Sequence, residues 1–466
     1  MRSKVAKAQH TLAYVSISIS EDSCKKSSSE RFFYYLCGMT MDNYNQIIDL
    51  IKREVVLSIG CTEPMAVSLC VAKACETLGV APQKISVALS ANIFKNAMGV
   101  GIPNSGMTGL PIAVALGAVA GRSEYGLEVL RDVTKEDVER AKKLLQEVEP
   151  SIFVTDESDD ILFIKVVVEA GNDSAEVVIS GTHTNFSSIR KNGKEVASSE
   201  AEKKVVAESE DLELSLRKVY EFATEVPLEM IEFIGEAAEK NVAAAELSFK
   251  GSYGHGLGAM LHSGVAKNIF GDTLFTHILA HTSGACDARM SGAMVPVMSN
   301  SGSGNQGISA TVPVAIFALA NDVEREKMLR ALVLSHLTVI YIKQSLGRLS
   351  ALCGCVVAAT GSACGITYLM GGGFEEVSGA VKNMVANLTG MICDGAKPSC
   401  SLKVTSGVAT AVLSATLAMN QRVTTSLEGI IENDVDNCIR NLTEIGRLGM
   451  SETDSLILKI MTSKSN

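Results

Sequence analysis

The strings Leu352-Cys-Gly-Cys355 and, after an apolar helical segment, Cys393-Asp-Gly-Ala-Lys-Pro-Ser-Cys400 govern how the rest of this chain is read. Cys353 and Cys393 stand forty residues apart, Cys393 and Cys400 seven. Their neighbours are largely Gly, Pro and Ser, which turn a chain rather than pack a core. A reduced cysteine is a small hydrophobe and is often simply buried. That reading suits Cys70, Cys75, Cys286, Cys364 and Cys438, which lie in apolar or helical patterns. Cys353, Cys393 and Cys400 are different. Turn N–H groups and the lysine of the Asp-Gly-Ala-Lys turn lower a thiol's pKa and favour the thiolate that metals require. The trio is read as ligands of a metal or cluster.

Around them the chain is helical. From residue 214 onward, helical patterns cover 229–247, 273–287, 312–320, 324–346, 380–388 and 404–419, many too apolar for a surface. They imply a buried bundle. Upstream, 150–196 reads as strands at 152–155, 161–170 and 175–180, closed by a hairpin at Lys191-Asn-Gly-Lys194. The expected fold is therefore α+β, mainly a helical bundle with buried apolar helices plus a small antiparallel β-sheet. The expected organisation is a weakly ordered extension over 1–40, an N-terminal α/β part over 41–210 and a helical cluster-binding domain over 211–466, with 198–213 as a charged linker or solvated surface.

Composition narrows the partners. With 466 residues and 47% apolar content the chain can bury a sizeable core, and a net charge of -10 lacks the basic face that nucleic acid needs. Small molecules are the expected partners. Twelve irregularly spaced cysteines in a long chain without a convincing signal peptide fit a reducing cytoplasm better than a disulfide framework. No apolar run long enough for a membrane span is free of Gly or charged breaks; residues 107–121 read as a buried helix. The abundance of apolar helices is compatible with a homodimer.

Several polar strings are candidates for ligand contact. Ser58-Ile-Gly-Cys-Thr-Glu-Pro64 feeds a helix over 64–78, so Cys61 faces a helix N-terminus, where a thiolate or an anionic group is favoured, with Glu63 beside it as acid or base. Met98-Gly-Val-Gly-Ile-Pro-Asn-Ser-Gly-Met-Thr-Gly109 opens another helix, offering Asn104 and Ser105 to an anion, although a plain turn uses the same residue types. His183, in Gly181-Thr-His-Thr-Asn185 at a strand end, is either a substrate contact or a structural histidine. Ser299-Asn-Ser-Gly-Ser-Gly-Asn-Gln-Gly307 is a platform for a small polar ligand, with Ser301, Asn305 and Gln306 as contacts. Arg289 is a candidate for a substrate carboxylate, and Lys343, in an apolar context, is a buried amine that needs a partner.

Four strings together carry a resemblance: Ser58-Ile-Gly-Cys-Thr-Glu-Pro64, Met298-Ser-Asn-Ser-Gly-Ser-Gly-Asn-Gln-Gly307, Gly347-Arg-Leu-Ser-Ala-Leu-Cys-Gly354 and Met391-Ile-Cys-Asp-Gly-Ala-Lys-Pro-Ser-Cys400. In this order they resemble the L-cysteine desulfidase family, related to the alpha part of bacterial iron-sulfur L-serine dehydratases. The likeness spans roughly 41 to the C-terminus; residues 1–40 match nothing in it. It implies a lyase with an oxygen-sensitive [4Fe-4S] cluster that converts L-cysteine to pyruvate, ammonia and hydrogen sulfide, or L-serine on the same scaffold. Carried over, the desulfidase pattern makes Cys61, Cys353 and Cys393 the essential cysteines, whereas the dehydratase pattern selects Cys353, Cys393 and Cys400. Cys355 is a further alternative for the third ligand. Cys61, Glu63 and Lys343 are the catalytic candidates. Two rivals are a pyridoxal-phosphate lyase using Lys343 or Lys397, and a non-enzymatic metal- or thiol-binding protein.

Overall fold

A computed structural model describes residues 41–158, 160–197, 212–347 and 350–463. The expected N-terminal extension and nearly all of the charged run 198–213 fall outside these.

Helix α1 (Met41–Glu54) shows how sequence spacing becomes packing: Tyr44, Ile47, Ile48 and Ile51 recur at helical period and are all buried, with Asp42 in the first turn and Lys52 and Arg53 in the last. Strand β1 (Leu57–Ile59) then pairs antiparallel with β8 (Pro296–Met298), in the register Leu57 opposite Met298. Residues 241 apart in sequence, Leu57 and Met298, are thereby placed side by side. Helix α2 (Thr62–Leu78) carries Pro64 in its first turn and ends on Gly79, whose φ of 83° is the left-handed geometry that lets its N–H reach Cys75 O at 2.9 Å.

The main sheet has the order β3-β2-β4-β5-β6-β7, with β2 (Lys84–Leu89), β3 (Ser151–Val154), β4 (Phe163–Ala170), β5 (Asp173–Ser180), β6 (Phe186–Lys191) and β7 (Lys194–Ala197). All pairings are antiparallel except β2 with β3. The sheet is therefore mixed, because β2 reaches its neighbour β3 through helical crossovers, and a crossover permits parallel pairing where a hairpin does not. The expected hairpin is present, with Asn192 and Gly193 both at positive φ between Lys191 and Lys194. Ile164, Val166 and Val168 of β4 and Ala175, Val177 and Ile179 of β5 alternate onto one buried face. Helix α2 covers that face, its Cys70 thiol donating to Val177 O at 3.3 Å.

After β2 come α3 (Ala91–Ala97), a Gly-rich loop, α4 (Leu110–Ala120) and α5 (Lys135–Glu147). The remainder is the bundle: α6 (Leu216–Glu225), α7 (Gly235–Ser248), α8 (Leu257–His262), α9 (Leu274–Met290), α10 (Gly304–Ala320), α11 (Arg325–Leu346), α12 (Gly354–Leu369), α13 (Phe374–Leu388), α14 (Cys400–Met419), α15 (Val435–Glu444) and α16 (Ser451–Thr462). Helices α9, α10, α11 and α12 are buried along nearly their whole length, as apolarity on every side requires. Each fully buried Leu or Ile there contributes about 1.5–3 kcal/mol relative to exposure. The α12–α11 contact is unusually close. A Cβ on Gly361 would lie 2.4 Å from Ser335 O, and one on Gly365 would lie 2.9 Å from Ala331 O. Only glycine permits that approach.

Two apolar cores result. One joins α2, α4 and the sheet to α9, α12 and α14; the other joins α1, α6, α11, α13 and α15. Helix α14 is long and apolar enough, by length and composition, to cross a membrane; a core helix passes the same test, and Val404, Val408, Ala411 and Ala415 are buried where it packs against α9, α12 and α13. The helix expected over 312–320 starts eight residues earlier, at Gly304, because Ser303 caps it by accepting from Gln306 N. Asn305 and Gln306 therefore sit on a helical turn and not in an open loop.

Candidate functional site

The two cysteine strings are joined by backbone pairing. Leu352 and Ile392 form an isolated antiparallel bridge, Cys353 N–H donates to Met391 O at 2.9 Å, and Cys393 N–H donates to Ala351 O at 2.6 Å. That register sets Cys353 and Cys393 abreast across forty intervening residues. Cys353 is also the residue at which α12 begins, and Cys400 opens α14. Cys61 stands at the head of α2 and Ser303 at the head of α10. Four helix amino ends thus converge, and their free N–H groups and dipoles favour negative charge between them.

Between them lies a cavity of about 140 Å³, lined among others by Cys61, Glu63, Lys95, Arg289, Ser301, Ser303, Asn305, Gln306, Lys343, Cys353, Cys355, Cys393, Cys400 and Lys403. Eleven sequence candidates, Cys355 included, are brought together there. Three are not. Asn104, at φ 60°, turns its amide toward Leu130 O and Arg131 O, and Ser105 Oγ closes its own turn on Ile102 O at 2.7 Å. Both serve the turn before α4, whose Gly101 is pressed against Ser291: a Cβ there would lie 2.2 Å from Ser291 C. His183 is half-buried in the β5–β6 connection and lines no part of the cavity.

The electrostatics also correct a sequence expectation. Helix ends and lysines are expected to favour thiolates, yet burial and neighbouring groups push up every one of these thiols whose pKa is displaced. For Cys61 the causes are burial and the Glu63 carboxylate, opposed by Arg289. Its Sγ donates to Glu63 Oε2 at 3.0 Å, and Thr62 Oγ1 donates to the same oxygen at 3.1 Å. Cys353 is raised by the Cys355 thiol beside it, Sγ to Sγ 3.3 Å, and Cys393 by Cys353 and burial, with Lys95 pulling the other way. Cys400 is raised by burial against the nearby Lys397. A metal binds the thiolate, so ligation here would release protons.

Thiols are the donor type that iron-sulfur clusters use. Five thiols, those of Cys61, Cys353, Cys355, Cys393 and Cys400, line one cavity, although among the described residues no three His, Cys, Asp or Glu side chains are disposed to hold a metal ion. Lys397 and Lys403 share the Asp394 carboxylate, at 2.5 Å from Lys397 Nζ. Burial raises the Asp394 pKa, but the two ammonium groups outweigh it and hold the group down at about 2. This clamp fixes the Cys393–Cys400 turn.

Opposite the cysteines, Arg289 is 4% exposed and has no carboxylate partner among the described residues. It donates to Asn305 Oδ1 at 3.1 Å, and its Nε has no acceptor among the described residues. Gln306 Oε1 is buried without a donor among the described residues. Both residues line the cavity, and a guanidinium and a side-chain amide suit a ligand bearing an anion and an N–H group. The loop between them is braced from below: Ser301 Oγ donates to Asn300 Oδ1 at 2.8 Å, Asn300 Nδ2 reaches His336 Nδ1 at 3.0 Å, and His336 Nε2 lies 2.9 Å from Thr311 Oγ1.

Sequence reading missed Lys95 and Lys403. Lys403 follows the cysteine string on α14 and was legible as its neighbour. Lys95 sits in a short helix with no motif, and nothing in its spacing announces it.

The model of the serine dehydratase alpha chain family matches residues 124–459. A UPF0597 protein of Bacteroides fragilis is 62% identical over 431 residues, covering 91% of this chain and all of that protein. One of Bacteroides thetaiotaomicron is 62% identical over 419 residues, covering 90% of this chain and 98% of its own length, and one of Porphyromonas gingivalis is 52% identical over 432 residues, covering 91% of this chain and its own full length. With the family model matching well over half of its length, this chain belongs to the serine dehydratase alpha chain family.

Proposed function

We propose that this protein is an iron-sulfur-dependent lyase that eliminates the β-substituent of a small L-amino acid, with L-cysteine as substrate and pyruvate, ammonia and hydrogen sulfide as products. The observation that carries the reading is the meeting, in one cavity, of the Cys353, Cys393 and Cys400 thiols with a buried Arg289 that lacks a carboxylate. Those three cysteines would hold a [4Fe-4S] cluster, which when bound supplies an open iron, a Lewis acid for a departing thiolate or hydroxide.

The chain's own groups account for the rest. The Arg289 guanidinium takes the α-carboxylate, and the Gln306 side-chain amide meets the α-ammonium. Cys61 and Glu63 act as a coupled base: as the sulfur takes the α-proton, the thiol's own proton passes to the Glu63 carboxylate it already contacts. Loss of the β-group leaves aminoacrylate, which tautomerises and hydrolyses to pyruvate and ammonia. Lys343 and Lys403 add positive charge to a cavity that receives anions. Burial of the whole set strengthens these interactions over their value in water.

L-Serine is the second reading, favoured by the family to which the chain belongs. The two substrates differ by one atom at the leaving group, and a direct assay separates them. Protein reconstituted anaerobically with iron and sulfide is supplied with L-cysteine or L-serine, and pyruvate is followed. Pyruvate with sulfide release from L-cysteine supports the reading; pyruvate from L-serine alone selects the second. A sharp absorbance of an internal aldimine would instead favour the pyridoxal-phosphate rival.

A further inference from the structure

Beneath the 299–307 string lies a buried polar chain that ends at the cavity. Asn241, Asn300, Thr311 and His336 are fully buried, and Ser301, which lines the cavity, is nearly so. At this depth donors must meet acceptors, and main-chain carbonyls, which can only accept, fix the direction of each proton. Asn300 Nδ2 lies 3.1 Å from His336 O, so the nitrogen of that amide, not its oxygen, faces α11. The same nitrogen reaches His336 Nδ1 at 3.0 Å, which is therefore the bare ring nitrogen. Burial keeps the ring neutral, and its proton is left on Nε2, 2.9 Å from Thr311 Oγ1. Thr311 sends its own proton to Gly307 O at 2.7 Å and accepts a second from Asn241 Nδ2, whose orientation Met298 O fixes in the same way.

The consequence falls on Ser301. Asn300 Oδ1, the other atom of the oriented amide, can only accept, so Ser301 Oγ–H donates to it at 2.8 Å. A hydroxyl has one proton, and this one is spent. What Ser301 Oγ can offer a ligand is a lone pair. Ser301 also sits at φ 47°, in the left-handed region that side chains rarely adopt, with its N–H on Glu54 O at 3.0 Å. Backbone strain of this kind clusters at ligand sites.

We propose that Ser301 is a specificity-determining contact that accepts from the α-ammonium group and so discriminates against small carboxylic acids that lack one, with Asn300 and His336 as the positioning residues that deny it a donor role. The proposal rests on the reading of the cavity as an amino-acid site and adds the group that demands the amine.

The test uses the full chain under reducing, anaerobic conditions. With isotope-labelled histidine, the imidazole proton–nitrogen correlation spectrum gives the tautomer of His336, assigned by its loss in His336→Gln. The neutral Nε2–H form is expected; an Nδ1–H form or an imidazolium would overturn the proton order. Calorimetry then compares L-alanine with propionate, the same skeleton without the amine, in the native chain and in Ser301→Gly, which removes the hydroxyl while suiting the positive φ. L-Alanine should bind about tenfold more weakly to Ser301→Gly, and propionate should keep its native affinity. Unchanged L-alanine affinity in the variant, equal weakening of both ligands, or a native chain that does not bind L-alanine would each overturn the contact. L-Alanine has no β-leaving group, so the expected pattern without pyruvate from L-cysteine or L-serine would uphold the contact and sink the lyase reading alone.

Discussion

Cys353 and Cys393 are set abreast by two backbone hydrogen bonds, Cys353 N–H to Met391 O and Cys393 N–H to Ala351 O. Their placement is a property of main-chain register, so either thiol can be replaced without dismantling the turn that presents it. This makes ligand substitutions interpretable: Cys353→Ser or Cys393→Ser should keep the native circular dichroism spectrum while changing what the cavity binds.

Arg289 and Gln306 should govern affinity for the amino acid. A hydrogen bond to a charged ligand group contributes about 1.5–3 kcal/mol, so Arg289→Met and Gln306→Leu should each raise KM by roughly ten- to a hundredfold. Steady-state kinetics checks this, and a fall in kcat at unchanged KM would remove both residues from the binding wall.

Glu63 should control the proton on Cys61. Burial raises that thiol first and the Glu63 charge raises it further, so Glu63→Gln should bring the pH midpoint of Cys61 alkylation down. The same variant should lose at least about a hundredfold in kcat, the lower range of a general-base contribution. A midpoint that moves up would contradict the assigned coupling.

His336 should make stability depend on pH. Burial lowers its pKa from the ordinary value of 6.5 to about 3, and it is held neutral by Asn300 and Thr311. The unfolded chain therefore binds a proton that the folded chain refuses. The contribution is fully present above the unfolded pKa and is lost as pH falls from about 6.5 toward 3, at up to ~1.4 kcal/mol per pH unit. Urea unfolding of native protein and His336→Gln at pH 7, 6 and 5 should show the native chain losing ground to the variant as pH drops.

Gly361 should tolerate no side chain. A Cβ 2.4 Å from Ser335 O forces α12 away from α11, and overpacking of this kind costs about 1–3 kcal/mol. Gly361→Ala should lower the urea midpoint accordingly, whereas Gly390→Ala, whose Cβ would meet nothing within 4 Å, should be far milder.

Much of this was legible in the sequence because period and punctuation report packing directly. The α1 stripe, the Lys191–Lys194 hairpin and the apolar helices of the bundle follow from spacing alone, and turn-rich neighbourhoods singled out Cys353, Cys393 and Cys400. The losses have equally physical causes. Asn104 and Ser105 mimic ligand contacts since the same side chains close turns, and His183 is one strand end among several. The parallel β2–β3 pairing and the β1–β8 pairing depend on contacts between distant segments, to which local pattern is blind. Lys95 was invisible for a related reason: its meaning comes from Asp454, 359 residues away. The displaced thiol pKa values run opposite to expectation because burial and neighbouring carboxylate and sulfur groups raise them.

The central claim is that Cys353, Cys393 and Cys400 hold an iron-sulfur cluster. Iron and acid-labile sulfide are to be counted after anaerobic reconstitution of the native chain and of Cys353→Ser, Cys393→Ser, Cys400→Ser and Cys61→Ser. The account expects about four iron atoms per native chain, as a [4Fe-4S] cluster holds, with full content kept in Cys61→Ser and most of it lost in each of the other three. A native chain that takes up no iron, or full iron in all three ligand variants, would contradict it.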